Sequence, residues 1–359
     1  MSLYPGRWQR GGHGAGEDVL DVAALGAWMS EQGLGSGPLN GITVVGGGTQ
    51  NILIRFWRDG REYVLRRPPR YKRANSDETM IREARILAAL ALTDVPHAGL
   101  IATCDDLDVV GAAFYLMEPV DGVNPTVAVP DGLAANLTRQ YDLGIAIVSG
   151  LARLGGVDPV TVGLADLGKP DEWLERQVPR WRRQLASYAA LEGYCGNELA
   201  RVDEIGRWLE CRRPRPRSWR PGLIHGDFHL ANVMVRQDQP TLAAIVDWEL
   251  ASQGDPLLDL GQLLATWPRN DYPLGVDPAV PLPGLPTDRE LLDWYGRHCD
   301  RDLEHVTWFR VLACYRLAIL IEGTFARALA GMAPMEIGEL SHRRAVALLD
   351  QATDLVEGR

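Results

Sequence analysis

The sequence predicts an α+β fold in two lobes, a small β-rich N-terminal lobe with one main helix (1–118) and a larger, mostly helical C-terminal lobe (119–359). Three observations carry this. The first third holds alternating and β-branched runs on either side of Asp59-Gly60, a dipeptide suited to a tight hairpin. Beyond Pro119 and Gly122 the apolar spacing changes to the period of amphipathic helices. One β-rich island, residues 222–247, interrupts the helical part and contains a compact polar loop.

Residues 17–33 have helical spacing. The stretch "GITVVGGGTQNILIRFWRDGREYVLRRPP" then reads as strand, Gly-rich turn, strand, hairpin turn, strand. Strand periodicity puts Val64 and Arg66 on one face and Tyr63, Leu65 and Arg67 on the other, with Pro68 and Pro69 ending the run. Residues 77–92 form an amphipathic helix, and strands follow near 100–104 and 109–117. In the larger lobe, helical segments cover about 131–154, 171–190, 197–212, 257–267, 288–299, 303–331 and 336–356. No internal repeat is present. "CRRPRPRSWRPG" (211–222) is short and broken by prolines, which fits a solvated linker better than a nucleic-acid patch.

Composition narrows the class. Hydrophobic content of 46% and charged content of 23% are ordinary for a globular protein. No apolar run approaches the roughly 18 residues that span a bilayer, and the first residues lack the apolar core of a signal peptide. A cytoplasmic protein without a membrane partner is the expectation. Five scattered cysteines without a CxxC pair suggest isolated buried thiols. A net charge of −10 argues against a nucleic-acid partner. Lysine occurs only at positions 72 and 169, so an arginine at any one position carries little meaning alone.

The chemistry sits in "GLIHGDFHLANVMV" (222–235) and "AAIVDWELASQGDPLLDLGQLL" (243–264). Apolar strands deliver Asp227, Asn232 and Asp247 at their ends, and hard oxygen donors on a rigid frame suit Mg²⁺ with phosphates. Each residue alone is an ordinary turn former. As a set at this spacing they point to a site. "GDFH" also matches part of a metallophosphoesterase pattern, but the accompanying DxH and GNH[DE] are missing.

"HGDFHLAN" resembles the HGDxHxxN loop, and "IVDWELASQGDPLLDL" the [IV]DWExxxxGDPxxDL segment, of the aminoglycoside phosphotransferase and choline kinase group, relatives of the protein kinases. Within that group the chain resembles the bacterial and acyl-CoA-dehydrogenase-associated branch. The resemblance implies a protein-kinase-like fold and an ATP- and Mg²⁺-dependent transfer of phosphate to a hydroxyl of a small molecule. It implies Asp227 as the base or orienting carboxylate and His229 as a donor near the moving phosphate. Asn232 and Asp247 would hold Mg²⁺, with Glu249 in support. His225 would brace the loop, Asp255 would accept loop backbone N–H groups, and Asp259 would serve the start of the following helix.

For the nucleotide, the resemblance implies a phosphate loop of Gly46, Gly47, Gly48, Thr49 and Asn51. Glycines there let backbone N–H groups approach phosphate oxygens. The backbone of Glu118 and Val120 would pair with adenine, against Val64 and Met117. Arg66 stands where kinases usually carry lysine, with Glu83 as its helix partner, and Arg67 would be solvated. The branch commonly shows LR[RK]xP here. Arginine differs from lysine in offering a planar fork of donors.

For the acceptor, the resemblance implies a site in the large lobe, with Trp248, Glu249, Tyr315, Glu322 and Arg327, and also Arg316 and Thr324, as candidate lining. The first 118 residues carry net charge −2 and the remainder −8. Interleaved arginines favour a hydroxylated small molecule over a strongly cationic one. A non-catalytic nucleotide-binding regulator is the alternative, and Arg66 is the feature in its favour. The short segment after Asp247 disfavours a protein substrate.

Overall fold

The computed structural model describes residues 20–45, 51–69, 74–196, 199–215, 220–268 and 278–358. Asp59 and Gly60 both take positive φ, 48° and 78°, as a two-residue turn between twisted strands requires. They join β2 (Ile52–Arg58) to β3 (Arg61–Arg67) in unbroken antiparallel register. With β1 (Asn40–Val45), β4 (Leu100–Cys104) and β5 (Phe114–Met117), these form a five-stranded sheet in the order β1-β2-β3-β5-β4. Ile54, Phe56, Tyr63, Leu65 and Leu116 pack with Leu25 and Met29 of α1 (Val22–Glu31) in a separate small core. Met80, Ala84 and Leu87 of α2 (Ser76–Leu90) instead join Tyr115 of the sheet in the main core, which continues into the helical part.

The expected strand 109–117 is shorter. Residues 107–110 form a helical turn, α3 (Leu107–Val110), because the Asp106 carboxylate caps the N–H of Asp108 at 2.9 Å. Gly111 ends it at φ 79°, and the strand starts at Phe114. Arg67 also departs from expectation. It is 6% exposed, its Nε donates to the Pro68 carbonyl at 3.2 Å, and burial lowers its pKa against the influence of Asp77. The strand alternation is right, but this face of β3 is covered rather than wet.

The larger part begins with α4 (Asp131–Ala134), α5 (Leu137–Gly155), α6 (Trp173–Ser187) and α7 (Val202–Cys211). The β island is two separate antiparallel ribbons. β6 (Gly222–Ile224) pairs with β9 (Ser252–Gly254), and β7 (Val233–Val235) pairs with β8 (Leu242–Ile245). α8 (Leu257–Thr266), α9 (Asp288–His298), α10 (Val306–Leu329) and α11 (Met335–Glu357) complete the chain. The Ile245 N–H donates to the Pro96 carbonyl at 2.8 Å, joining the island to the segment before β4. All five cysteines are free, and Cys195 and Cys211 are exposed rather than buried. No helix among the described residues is long and apolar enough to cross a membrane.

α8 and α10 pack backbone against backbone at Gly261. A Cβ there would lie 2.6 Å from the Phe309 carbonyl oxygen. Both neighbours are main chain in helices, so neither can rotate aside. Gly261→Ala should therefore lower stability by about 1–3 kcal/mol, measured by denaturant unfolding, and an unchanged midpoint would mean that the two helices separate freely.

Candidate functional site

The loop between β6 and β7 is held by its own polar groups. His225 Nε2 lies 2.9 Å from the Val246 carbonyl, and its Nδ1 accepts the N–H of Asp227 at 3.2 Å. Its ring is fully buried and tilted against Trp248, at 4.8 Å between centroids. His225 thus spans the Asp227 loop and the strand end before Asp247. His229 Nδ1 accepts the Ala231 N–H at 3.1 Å, which places the ring proton on Nε2, 3.4 Å from Asp227 Oδ2. Asn232 donates from Nδ2 to the Asp227 carbonyl at 2.8 Å, turning its amide oxygen the other way. Its own carbonyl accepts the Val246 N–H at 2.9 Å.

The two acids of the GDPxxDL segment have exchanged the tasks expected of them. Asp259 accepts the loop N–H groups of His225 and Gly226 at 2.6 and 2.8 Å. Asp255 accepts the N–H of Leu257 at 3.0 Å and so serves the start of α8. Asp255 lies before the helix and bends back to it, whereas Asp259 projects from its first turn toward the loop.

Gln262, one turn after Asp259, was not foreseen. Its Nε2 donates to Asp227 Oδ1 at 2.6 Å, and its Oε1 accepts from Arg316 Nη1 at 2.8 Å. The Arg316 Nη2 donates to the Gly226 carbonyl. The i, i+3 spacing of Asp259 and Gln262 was available as a signal that they share a helix face. Nothing in the sequence around Arg316 marks it as their partner. Burial opposes the Asp227 charge, but His229 and then Arg316 outweigh it and hold the carboxyl well below the usual range.

Arg66 crosses from the sheet to the larger part of the molecule. Its Nη2 donates to Asp247 Oδ1 at 2.7 Å, and its Nε lies 3.0 Å from Glu83 Oε2. Glu83 is 1% exposed and accepts the Tyr115 hydroxyl at 2.9 Å. Burial pushes the Glu83 carboxyl up to about 7, against the pull of Arg66 and with the aid of Asp247. Burial also opposes the Asp247 charge, yet Arg66 keeps its carboxyl below the usual range. Asp247 sits at φ 69°, ψ 63°, a left-handed conformation uncommon for a non-glycine residue. Oxygens of Glu83, Asp247 and Glu249 lie within 4.8 Å of one another. These hard donors fit a divalent cation.

On the nucleotide side, Val64 and Met117 face each other across β3 and β5. The Glu118 N–H donates to the Gly99 carbonyl at 2.8 Å and is therefore already engaged within the protein. Val120 and Asn51 are half-buried, and Gly46, Gly47, Gly48 and Thr49 lie outside the described residues. On the acceptor side the expected lining disperses. Trp248 is 3% exposed and donates its indole N–H to the Ile245 carbonyl at 3.1 Å, so it packs the loop instead of lining a site. Tyr315 is buried, and burial pushes its hydroxyl up to about 12 against the pull of Arg182. Glu322 is buried against Tyr194 (3.2 Å) and His342 (2.9 Å). Arg327 donates to the Thr324 hydroxyl at 3.1 Å on the surface.

A family model described as "Phosphotransferase enzyme family" matches residues 41–314, and the chain belongs to that family. Among curated proteins it is similar to acyl-CoA dehydrogenase family member 10 of Mus musculus, 28% identical over 82% of this chain and 27% of the relative. Acyl-CoA dehydrogenase family member 11 of Gallus gallus is also 28% identical, over 80% of this chain and 37% of the relative. The chain thus spans between about a quarter and two fifths of such relatives' length. Among solved structures, a Ralstonia eutropha protein provisionally named an aminoglycoside phosphotransferase superposes with a TM-score of 0.77 at 26% identity, covering 93% of this chain and 99% of that one. Choline kinase from Cryptosporidium parvum shares the fold at a TM-score of 0.57 and 12% identity, over 89% and 90% of the two chains. The architecture is the bilobal protein-kinase-like fold of these phosphotransferases.

Removing Arg66 would leave the buried Glu83 and the half-buried Asp247 without their shared partner. Arg66→Met should cost about 3–5 kcal/mol at neutral pH, as breaking a buried pair does. The folded-state pKa of Glu83, about 7, lies above its ordinary value of 4.5, so its contribution to stability is full below that ordinary value and is lost as pH rises toward 7. Wild-type stability should accordingly fall as pH rises from about 5 to 7, and Glu83→Gln should remove this part of the dependence. Unfolding free energies of the wild type and Glu83→Gln across that range test this, and an equal slope in the two would dissociate it from Glu83.

Proposed function

We propose that the chain is an ATP- and Mg²⁺-dependent phosphotransferase acting on a hydroxyl of a small molecule. The observation that carries this is Arg66, which joins Glu83 of α2 to Asp247 beyond β8 beside the braced Asp227 loop. Asn232 and Asp247 would hold the cation, with Glu249 beside them. Bound Mg·ATP supplies the phosphoryl group and the cation that neutralises its charge. Val64 and Met117 would flank the adenine, with Glu118 and Val120 offering backbone groups to its edge. Residues 46–49 and Asn51 would close over the phosphates.

Asp227 would receive the acceptor hydroxyl. A carboxylate held so far below its usual range is a weak base, so its main contribution is orientation, with the proton leaving late. Gln262 holds Oδ1, and His229 Nε2 lies beside Oδ2. Together they fix the plane of the carboxylate, which sets the line of attack. His229 can give a hydrogen bond to a transferring oxygen from the same nitrogen. The reading as a non-catalytic nucleotide binder is disfavoured by this complete set around Asp227.

Two variants separate the roles. Asp227→Asn should keep ADP binding and lose turnover by about 100-fold or more; a variant with full turnover removes Asp227 from the chemistry. Asp247→Ala should abolish the Mg²⁺-dependent part of the thermal stabilisation given by ADP, and an unaltered shift removes it as a ligand. ADP release measured against a panel of hydroxylated small molecules, with Asp227→Asn as the blank, tests the activity itself. An acceptor-independent signal across the whole panel counts against small-molecule transfer.

A further inference from the structure

Arg82 precedes Glu83 on α2, and none of the roles described above involves it. Its Nη1 donates to the Glu249 carbonyl at 2.9 Å, and its Nη2 donates to the Ala251 carbonyl. Glu249 lies in the single 3-10 turn over Trp248–Leu250 that immediately follows Asp247, and Ala251 caps it. Asp247 itself is in the left-handed region at φ 69°. Aspartate enters that region more readily than most residues, as Asp59 does in the hairpin, but at a cost that neighbouring contacts offset. The turn is closed by the Ala251 N–H on the Trp248 carbonyl at 3.1 Å, and the Trp248 indole N–H donates to the Ile245 carbonyl. Arg82 adds a two-pronged fork from α2.

We propose that Arg82 is a positioning residue that clamps the strained Asp247 turn to α2 and so sets the carboxylate for its cation. This rests on the reading of Asp247 as a metal ligand. α2 engages the Asp247 turn twice, through Glu83 by way of Arg66 and through Arg82 directly. The two contacts differ in kind. Arg66 binds the side chain and fixes its charge, while Arg82 binds only main chain and fixes the backbone angle from which that side chain springs. Arg85, one helical turn away from Ile81 and on the same helix, makes an exposed pair with Asp166 at 2.7 Å and does not touch the turn. It provides the control.

The test compares the intact wild-type chain with Arg82→Met, Arg82→Lys and Arg85→Met. Affinity is measured for Mn²⁺ with ADP and for ADP alone, and hydrogen exchange is followed at the Ala251 amide. Arg82→Met should weaken Mn²⁺-dependent ADP binding about 10- to 100-fold, the usual effect of losing a group that orients a metal ligand. ADP alone should bind as before, and the Ala251 amide should exchange faster. Arg82→Lys should fall between, and Arg85→Met should match the wild type. A folded Arg82→Met with wild-type Mn²⁺ dependence and wild-type exchange overturns the proposal. If Arg82→Met does not fold, Arg82→Lys carries the same comparison, because it keeps the charge and loses the fork. A wild-type chain without metal-dependent ADP binding overturns the assignment of Asp247 instead, and the exchange rates still decide whether the clamp exists.

Discussion

The Arg66 guanidinium, held between Glu83 and Asp247, is the interaction on which the rest of the site depends. It brings together a strand, a helix and a turn that are otherwise distant in the chain; 181 residues separate Arg66 from Asp247. One guanidinium cannot neutralise two carboxylates with Glu249 close by. Burial, aided by Asp247 and against Arg66, raises Glu83 to about 7, poised between forms, while Asp247 stays charged. A buried cluster in this state is short of positive charge. An arginine in place of a lysine spreads its charge over a planar group, and both acids are engaged by it, each accepting from Nη2.

The Asp227 loop solves a different problem. It is buried and polar, and each backbone and side-chain group needs a partner. Asp259 takes two consecutive N–H groups, Arg316 takes a carbonyl, His225 takes both a carbonyl and an N–H, and Gln262 links Arg316 to Asp227. Such a network is rigid because losing any member strands another. Rigidity is useful here, since phosphoryl transfer depends on position more than on covalent help from the protein.

Most of the architecture was legible in the sequence, and the exceptions have physical causes. Long amphipathic helices and the Asp59-Gly60 hairpin announce themselves through period and turn chemistry. β9 does not, because Ser252, Gln253 and Gly254 have no strand preference. They are extended because β6 lies alongside and because the Gln253 amide donates to the Leu164 and Ala165 carbonyls at 3.0 and 2.6 Å. The motif residues Asp227, Asn232 and Asp247 were legible as a set. The division of labour between Asp255 and Asp259 was not, since it depends on which acid faces a loop some thirty residues earlier. Tyr115 and Arg316 were beyond reach as partners for the same reason. Each is an ordinary residue of a strand or helix whose neighbour across the fold gives it its role.

Arg316 lies two residues past the end of the segment matched by the family model, and 90 residues after the Gly226 carbonyl it binds. Every recognisable motif of the chain is therefore made well before the group that secures the first of them. During synthesis, the Asp227 loop would be complete in sequence while its brace was still unmade. Its buried carboxylate would wait for α10 to dock before acquiring its final surroundings. The loop's final surroundings, on this view, arrive with a helix that carries no signature of its own.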